Sequence, residues 1–298
     1  MPLIPYAGEI FAFGAAIVWS FAVILFRQTG ERVAPFALNL FKNAFSLVLF
    51  SATILVTRQS LDLEIAPLQY GLLFISGALG IGLADILFLM TLNRMGAGLQ
   101  SIIDTSYSPF IILFSFIFLG ERLTPPQWLG VFFIISAVLG VGWMRGPAKE
   151  RTSRQLAIGI ALGTGSMLAQ AISIVMIKPV LEETALIPAN LWRTFGGVVV
   201  SLVALPLIPA HRRRLDSLLD RAAWPTLFGG AFLGTYVALL LWLAGMKYTQ
   251  ASIASVLNQT STLWTFVLAA WLLKEPVTWR RVAGLVIGTG GVLLVTIG

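Results

Sequence analysis

Apolar residues in this chain run in blocks of about 20, the length that carries a helix across a hydrocarbon core about 30 Å thick. The blocks predict spanning helices at 9–28, 34–57, 68–93, 97–119, 125–144, 155–178, 187–208, 224–246, 250–273 and 278–297. Between them stand Pro35, Pro67, Pro125-Pro126, Gly146-Pro147, Pro188 and Pro209, residues that end helices and turn chains. The breaks are short, so successive helices are expected to be antiparallel neighbours. The longest polar stretches, 146–155 and 210–222, are too short for a soluble domain. The expected fold is all-α, a polytopic membrane protein with ten transmembrane helices.

Composition agrees. Of 298 residues, 57% are hydrophobic and 11% charged, with a mean hydropathy of +0.88, and soluble domains carry roughly twice that charged share. The net charge of +7 would suggest nucleic acid in a soluble chain. Here the Lys and Arg fall in the breaks, where they set topology, so the expected surroundings are a lipid bilayer and no nucleic acid. With both termini cytoplasmic, the inner loops would hold only Arg58, Arg122, Lys178 and Lys247. The opposite loops would hold Arg27, Arg32, Arg94, the cluster from Arg145 to Arg154, Arg212-Arg213-Arg214, Arg221, Lys274 and Arg280-Arg281. Positive-inside bias therefore puts the termini outside the cytoplasm. There is no cysteine, and His211 is the only histidine, which argues against thiol chemistry, a transition-metal site or any cofactor. The first block lacks the basic region and cleavage site of a signal peptide and is expected to be a permanent span.

The two halves repeat each other. A shift of 154 lays Leu73-Phe74 on Leu227-Phe228, Gly80 on Gly234, Ala84 on Ala238, Ser101 on Ser255, Glu121 on Glu275 and Thr124 on Thr278. A shift of 151 lays Asn39-Leu40-Phe41-Lys42 on Asn190-Leu191-Trp192-Arg193. The expected units are 1–148 and 149–298, each of five helices. An odd number inverts the second unit relative to the first, an arrangement that recurs in secondary transporters around a midplane cavity.

Polar residues gather on single faces of four predicted spans, spaced i, i+3, i+4, i+7. They are Asn39, Lys42, Asn43 and Ser46; Ser101, Asp104, Thr105 and Ser108; Asn190, Arg193 and Thr194; and Ser255, Asn258, Gln259 and Thr262. Lipid cannot satisfy these groups, so the faces are expected to converge on a shared interior. Lys42, Asp85, Asp104 and Arg193 lie well inside spans. Three readings stand: two buried ion pairs that hold the bundle, Lys42 or Arg193 for a substrate carboxylate with an aspartate for a coupling proton, or snorkelling at helix ends, for Lys42 above all. Trp19, Tyr107, Trp192, Tyr236, Trp242 and Trp264 stand near this interior and suit a flat organic ligand. Gly77, Gly80, Gly284, Gly288 and Gly291 are expected at close helix contacts. The candidate substrate-binding set is Trp19, Asn39, Lys42, Asn43, Asp85, Asp104, Tyr107, Ser108, Asn190, Arg193, Tyr236, Trp242, Asn258, Gln259 and Trp264.

The segments Leu119-Gly120-Glu121-Arg122-Leu123-Thr124 and Leu272-Leu273-Lys274-Glu275-Pro276-Val277-Thr278 each close one span and precede a glycine-bearing one. With Trp19-Ser20 and the two five-span halves, this doubled signature resembles the drug/metabolite transporter superfamily, in its ten-span EamA-like branch. The resemblance covers essentially the whole chain. It implies a multi-pass protein of the bacterial inner membrane that exports amino acids, aromatic ones among them, or related small metabolites or drugs. It also implies cytoplasmic termini, against the charge count. A monomer of ten spans could be complete. The rival classes are a passive channel, a lipid flippase, a structural protein and a membrane enzyme. The enzyme would have only Asp85, Asp104, Glu121 and Glu275 for acid–base work, with the two glutamates at predicted opposite faces.

Overall fold

Proline begins helices here because its ring presets the helical φ where no N–H is needed. Pro35 opens α2 (Pro35–Thr57), Pro67 opens α3 (Pro67–Met95) and Pro125 opens α6 (Pro125–Val141). In α1 (Ala7–Thr29) Glu9 lies in the first turn and Arg27 in the last, each complementing the helix dipole. The others are α4 (Ala97–Asp104), α5 (Tyr107–Leu119), α7 (Ser153–Val175), the short α8 (Lys178–Glu183), α9 (Leu186–Ala204), α10 (Arg221–Tyr248), α11 (Ala251–Leu272) and α12 (Trp279–Ile297). A computed structural model describes residues 6–119, 124–141, 153–207, 215–249 and 251–297. His211, Glu121, Arg122 and most of the basic 146–155 stretch lie outside the described residues.

All regular structure among the described residues is helical. Among the described residues, six helices are long and apolar enough to cross a membrane: α1, α2, α3, α7 from Arg154, α9 and α10. Trp128–Ala137 of α6 is a shorter apolar helix. Their surfaces are turned inside out relative to a soluble bundle. In α2, Asn39, Lys42, Asn43 and Ser46 are buried while Val48, Leu55 and Val56 are exposed, as expected where lipid is the solvent.

The expected span 97–119 is two helices with a turn at Thr105-Ser106. Pro109 has no N–H to offer the Thr105 carbonyl, and the Thr105 and Ser106 hydroxyls bond back to the Ile102 and Ile103 carbonyls at 2.7 Å each. Two other helices change winding internally: Ala78–Ala84 in α3 and Ala231–Ala238 in α10 are π-helical. Such wide turns leave carbonyls short of i+4 partners and often mark functional positions.

The helices exchange partners between the halves. α1 packs along α10 and α11, while α7 packs along α3, α4 and α5; α9 crosses α3 and α2, and α2 crosses the π segment of α10. α6 pairs with α12. Outside the spans, Asp62 accepts the Tyr70 hydroxyl (2.7 Å) and the Glu64 N–H (2.9 Å). These hydrogen bonds, that from Tyr70 foremost, hold its carboxyl below the ordinary value and fasten the 58–66 loop to the start of α3.

Four of the five glycines expected at close contacts, Gly77, Gly80, Gly288 and Gly291, are there. A Cβ on Gly77 would collide with the Arg193 carbonyl, one on Gly80 with the Ser173 hydroxyl, one on Gly288 would press on Thr105 at 3.1 Å, and one on Gly291 would meet the Gly130 carbonyl at 2.7 Å. Gly77→Ala is therefore expected to force α3 and α9 apart at a cost of about 1–3 kcal/mol. It should lower the melting temperature in detergent, whereas Gly71→Ala, with nothing within 4 Å of the added methyl, should melt like the wild type.

Candidate functional site

Polar groups from nine helices meet at one cavity of about 160 Å³, room for more than a single water molecule. Trp19 comes from α1, Asn43 and Ser46 from α2, Asp85 from α3, and Asp104 and Tyr107 from the two sides of the α4–α5 turn. Gln170 comes from α7, Arg193 and Thr194 from α9, Thr235 and Trp242 from α10, and Asn258, Gln259 and Ser261 from α11. Both π segments contribute wall, through Ile81 and through Gly234, Thr235 and Ala238.

Of the residues expected from sequence, Trp19, Asn43, Asp85, Asp104, Tyr107, Arg193, Trp242, Asn258 and Gln259 line the cavity. The other six are placed elsewhere. Asn39 is buried with its amide donating to the Ile81 and Gly82 carbonyls (3.3 and 3.1 Å). Lys42 is buried behind Asp85. Ser108 is buried as an acceptor for Gln259 Nε2 at 3.1 Å, and Asn190 is wholly buried beyond the wall. Tyr236 packs on Phe50 and Phe232 and bonds Thr53 at 2.5 Å. Trp264 is 43% exposed on the outer surface.

The four buried charges divide into two kinds. Lys42 Nζ lies 2.5 Å from Asp85 Oδ2 and 3.0 Å from Asn43 Oδ1, with side-chain exposures of 2% for Lys42 and 13% for Asp85. Gln170 Nε2 donates to the other Asp85 oxygen at 2.7 Å. This is a closed ion pair, one of the two that the bundle-holding reading expects. Arg193 has no such partner: no carboxylate comes within ion-pair range of it among the described residues. Its Nε donates to Ser76 Oγ (3.1 Å) and its Nη2 to Ser173 Oγ (3.2 Å). Nη1 is buried with no hydrogen-bond partner among the described residues, and the side chain lines the cavity. Asp104 accepts Gln100 Nε2 at 2.6 Å and pairs with no cation among the described residues.

Several of these partners could have been found with the same spacing rule. In α7, Ser166, Gln170 and Ser173 stand at i, i+4, i+7. They bond the Ala84 carbonyl (2.7 Å), Asp85 (2.7 Å) and the Ser76 carbonyl (2.8 Å) respectively. Glu275, weighed for acid–base work, instead accepts the Ala97 and Gly98 N–H groups at the start of α4 (2.8 and 3.1 Å) and lies 3.5 Å from Arg281.

The aromatic part of the wall is tied into the packing. Trp19 meets Phe88 at a centroid distance of 5.7 Å, and Tyr107 meets Trp242 edge-on at 6.5 Å. The site thus offers one cation with an unused donor, one carboxylate, Asp104, with no cation beside it among the described residues, and four aromatic rings, Trp19, Phe88, Tyr107 and Trp242, around the cavity.

A bundle of helices that are apolar outside and polar around an internal cavity is built for a bilayer, the setting of a multi-pass membrane protein. The sequence pattern of the EamA-like transporter family matches residues 6–143 and again 157–297, so the chain belongs to that family, within the drug/metabolite transporter superfamily. It is 27% identical over 267 residues to an "uncharacterized transporter" of Archaeoglobus fulgidus, covering 89% of this chain and 90% of that one. It is 28% identical over 270 residues to solute carrier family 35 member F6 of Rattus norvegicus, covering 80% and 72%. Protein PecM of Dickeya dadantii is 23% identical over 219 residues, covering 72% and 69%. A solved crystal structure shares the fold over 99% of this chain and 98% of its own, with a TM-score of 0.70 and 15% identity.

The Lys42–Asp85 pair carries a stability prediction. Lys42→Met leaves Asp85 with an uncompensated buried charge and is expected to cost about 3–5 kcal/mol. Lys42→Met combined with Asp85→Asn should recover most of that loss. Thermal melting of the purified protein in detergent checks both, and equal melting of the single and double variants would refute the pairing.

Proposed function

We propose that the chain is a secondary transporter that exports an amino acid, aromatic in preference, or a related small metabolite, by alternating access. The observation that carries this reading is Arg193, a buried guanidinium with Nη1 unpaired among the described residues, in the wall of a cavity that Trp19, Tyr107 and Trp242 also line. An unpaired buried cation is costly and a carboxylate is its natural partner through charge-assisted hydrogen bonds. The rings supply a surface for a flat side chain. Asp104 takes the coupling proton: it lines the same cavity with one amide partner and no cation at hand. Asn43, Asn258 and Gln259 complete the polar contacts, while Asn39, Lys42, Ser108, Asn190, Tyr236 and Trp264 act as scaffold.

The wider architecture proposed is two inverted five-helix repeats, 1–148 and 149–298, making ten spans around the cavity. The family pattern matching the chain twice supports it. So do the two π segments, which fall 154 residues apart as Ala84 and Ala238 do, and the exchange of helix partners between halves. A helical bundle with lipid-facing flanks belongs in an inner rather than an outer bacterial membrane, where barrels are used. A monomer provides the whole cavity. Relatives named as a transporter and a solute carrier favour a carrier over a channel.

Counterflow of labelled phenylalanine into proteoliposomes tests the reading, with tryptophan, other amino acids and phenylalaninamide as competitors. Saturable exchange blocked by excess tryptophan but not by the amide is expected. Arg193→Gln should raise the half-saturation concentration at least about tenfold while the protein still elutes as a single species. Exchange that rises linearly with concentration would indicate a channel, and normal exchange by Arg193→Gln would remove the carboxylate site. Asp104→Asn should flatten the dependence of exchange on pH between the two faces; an unchanged dependence would move coupling to another group.

A further inference from the structure

The π segments and the amides near them are not used alike in the two halves. In the first, Asn39 Nδ2 donates to the carbonyls of Ile81 and Gly82 at 3.3 and 3.1 Å, and Asn43 Nδ2 donates to Ile81 at 3.0 Å. Both acceptors lie in the π segment of α3, where the wide turn leaves carbonyls in need of donors. The 151-residue shift lays Asn39 on Asn190 and Asn43 on Thr194. There the picture reverses. Asn190 is wholly buried with neither amide atom bonded among the described residues, and Thr194 Oγ1 is likewise buried and unbonded. The matching carbonyl in α10, that of Thr235, is held at 2.6 Å by Ser46 from the other half, and the counterpart of Ser46 is Gly197, which has no hydroxyl.

A buried amide without partners is a standing penalty on the conformation that contains it. Two helices of matched sequence, one with its polar face engaged and one with it idle, describe a device seen in one of its two positions. We propose that Asn39 with Asn43, and Asn190 with Thr194, are alternate latches on the two π segments, one pair releasing as the other engages when the cavity changes the face to which it opens. In the second position Asn190 and Thr194 take the Thr235 and Tyr236 carbonyls in place of Ser46. These four are positioning residues for transport; the inference rests on the alternating-access reading above and names what holds each state.

The test uses the absence of cysteine from the chain. Met167, which lines the cavity, is replaced by cysteine as a reporter. Its reaction with a membrane-impermeant methanethiosulfonate is timed from each face of oriented proteoliposomes. Asn39→Ala removes bonds present in this conformation and should shift the ratio of the two rates away from it. Asn190→Ala removes an amide idle here and needed in the other state, so it should shift the ratio the opposite way, each by about tenfold. Asn43→Thr, which gives the first half the residue of the second, should move the ratio as Asn39→Ala does. The Asn190→Ala arm loses no hydrogen bond in this conformation, so the test survives if Asn39→Ala fails to fold. Reaction from both faces, with shifts in the same direction or below twofold, would overturn the latches and leave alternating access standing. Reaction from one face only, in the wild type and all variants, would overturn alternating access and the latches with it.

Discussion

Hydrocarbon offers no hydrogen bond, so polar groups carried into a span must find partners within the protein, and those that cannot bond back to their own helix find them on another. That constraint builds the molecule. Lys42 on α2 finds Asp85 on α3, Asp85 also takes Gln170 on α7, and Ser166 and Ser173 fix α7 to carbonyls of α3. Three helices become one wall because their polar atoms have nowhere else to go. Arg193 on α9 is the exception that defines the site. It receives two serine hydroxyls and no carboxylate among the described residues. The hydroxyls hold the guanidinium in place without neutralising it, and its Nη1 is left unpaired among the described residues, in a side chain that forms part of the cavity wall. An ion pair here would have filled the same role in packing and left nothing to recognise an anion.

On the repeat proposed above, the cavity is charged unevenly for a simple reason. Lys42 and Arg193 occupy equivalent positions, but Asp85 corresponds to Leu239 and Asp104 to Asn258. Only the first half supplies carboxylates, so only its cation is closed into a pair. Backbones of similar course can then exchange packing, while the chemistry at their centre stays directional. Two like scaffolds with unlike side chains are what a coupled carrier needs: similar energies for the two states, and a ligand that distinguishes them.

Much of this is legible in the amino-acid sequence. The apolar blocks mark the helices to within a few residues, and the i, i+4, i+7 spacing of Asn, Ser, Asp and Arg identifies the inward faces, because polar atoms have no alternative in lipid. The rule is silent on aromatic residues, which lipid accepts as readily as protein. Trp19 and Trp242 turn inward, and Trp264 turns outward, with no difference in local pattern. Nor does spacing separate a residue that lines the cavity from one a turn behind it, as Lys42 and Asn39 show. The break at Thr105-Ser106 has a signal in Pro109, but the wide turns of α3 and α10 have none: glycine-rich apolar sequence fits α and π winding alike. Ser76, one of the two partners of Arg193, is hidden for another reason, since it is unremarkable in its own span and matters only because α3, α7 and α9 cross there.

Arg193 stands on the same helical turn as Asn190 and Thr194, between the two groups proposed to latch the second π segment. A ligand that draws the guanidinium toward the cavity acts on the helix that carries both. The same geometry holds in the first half, where Lys42 sits between Asn39 and Asn43 and is already drawn by Asp85, with both amides engaged. The first half thus shows what a carboxylate beside the cation accompanies: amides closed on the π segment. On the alternating-access reading, a substrate carboxylate at Arg193 does for the second half what Asp85 does permanently for the first. Binding energy at the cavity is then spent on the conformational change itself, because the ligand interacts better with one position of the latch than with the other.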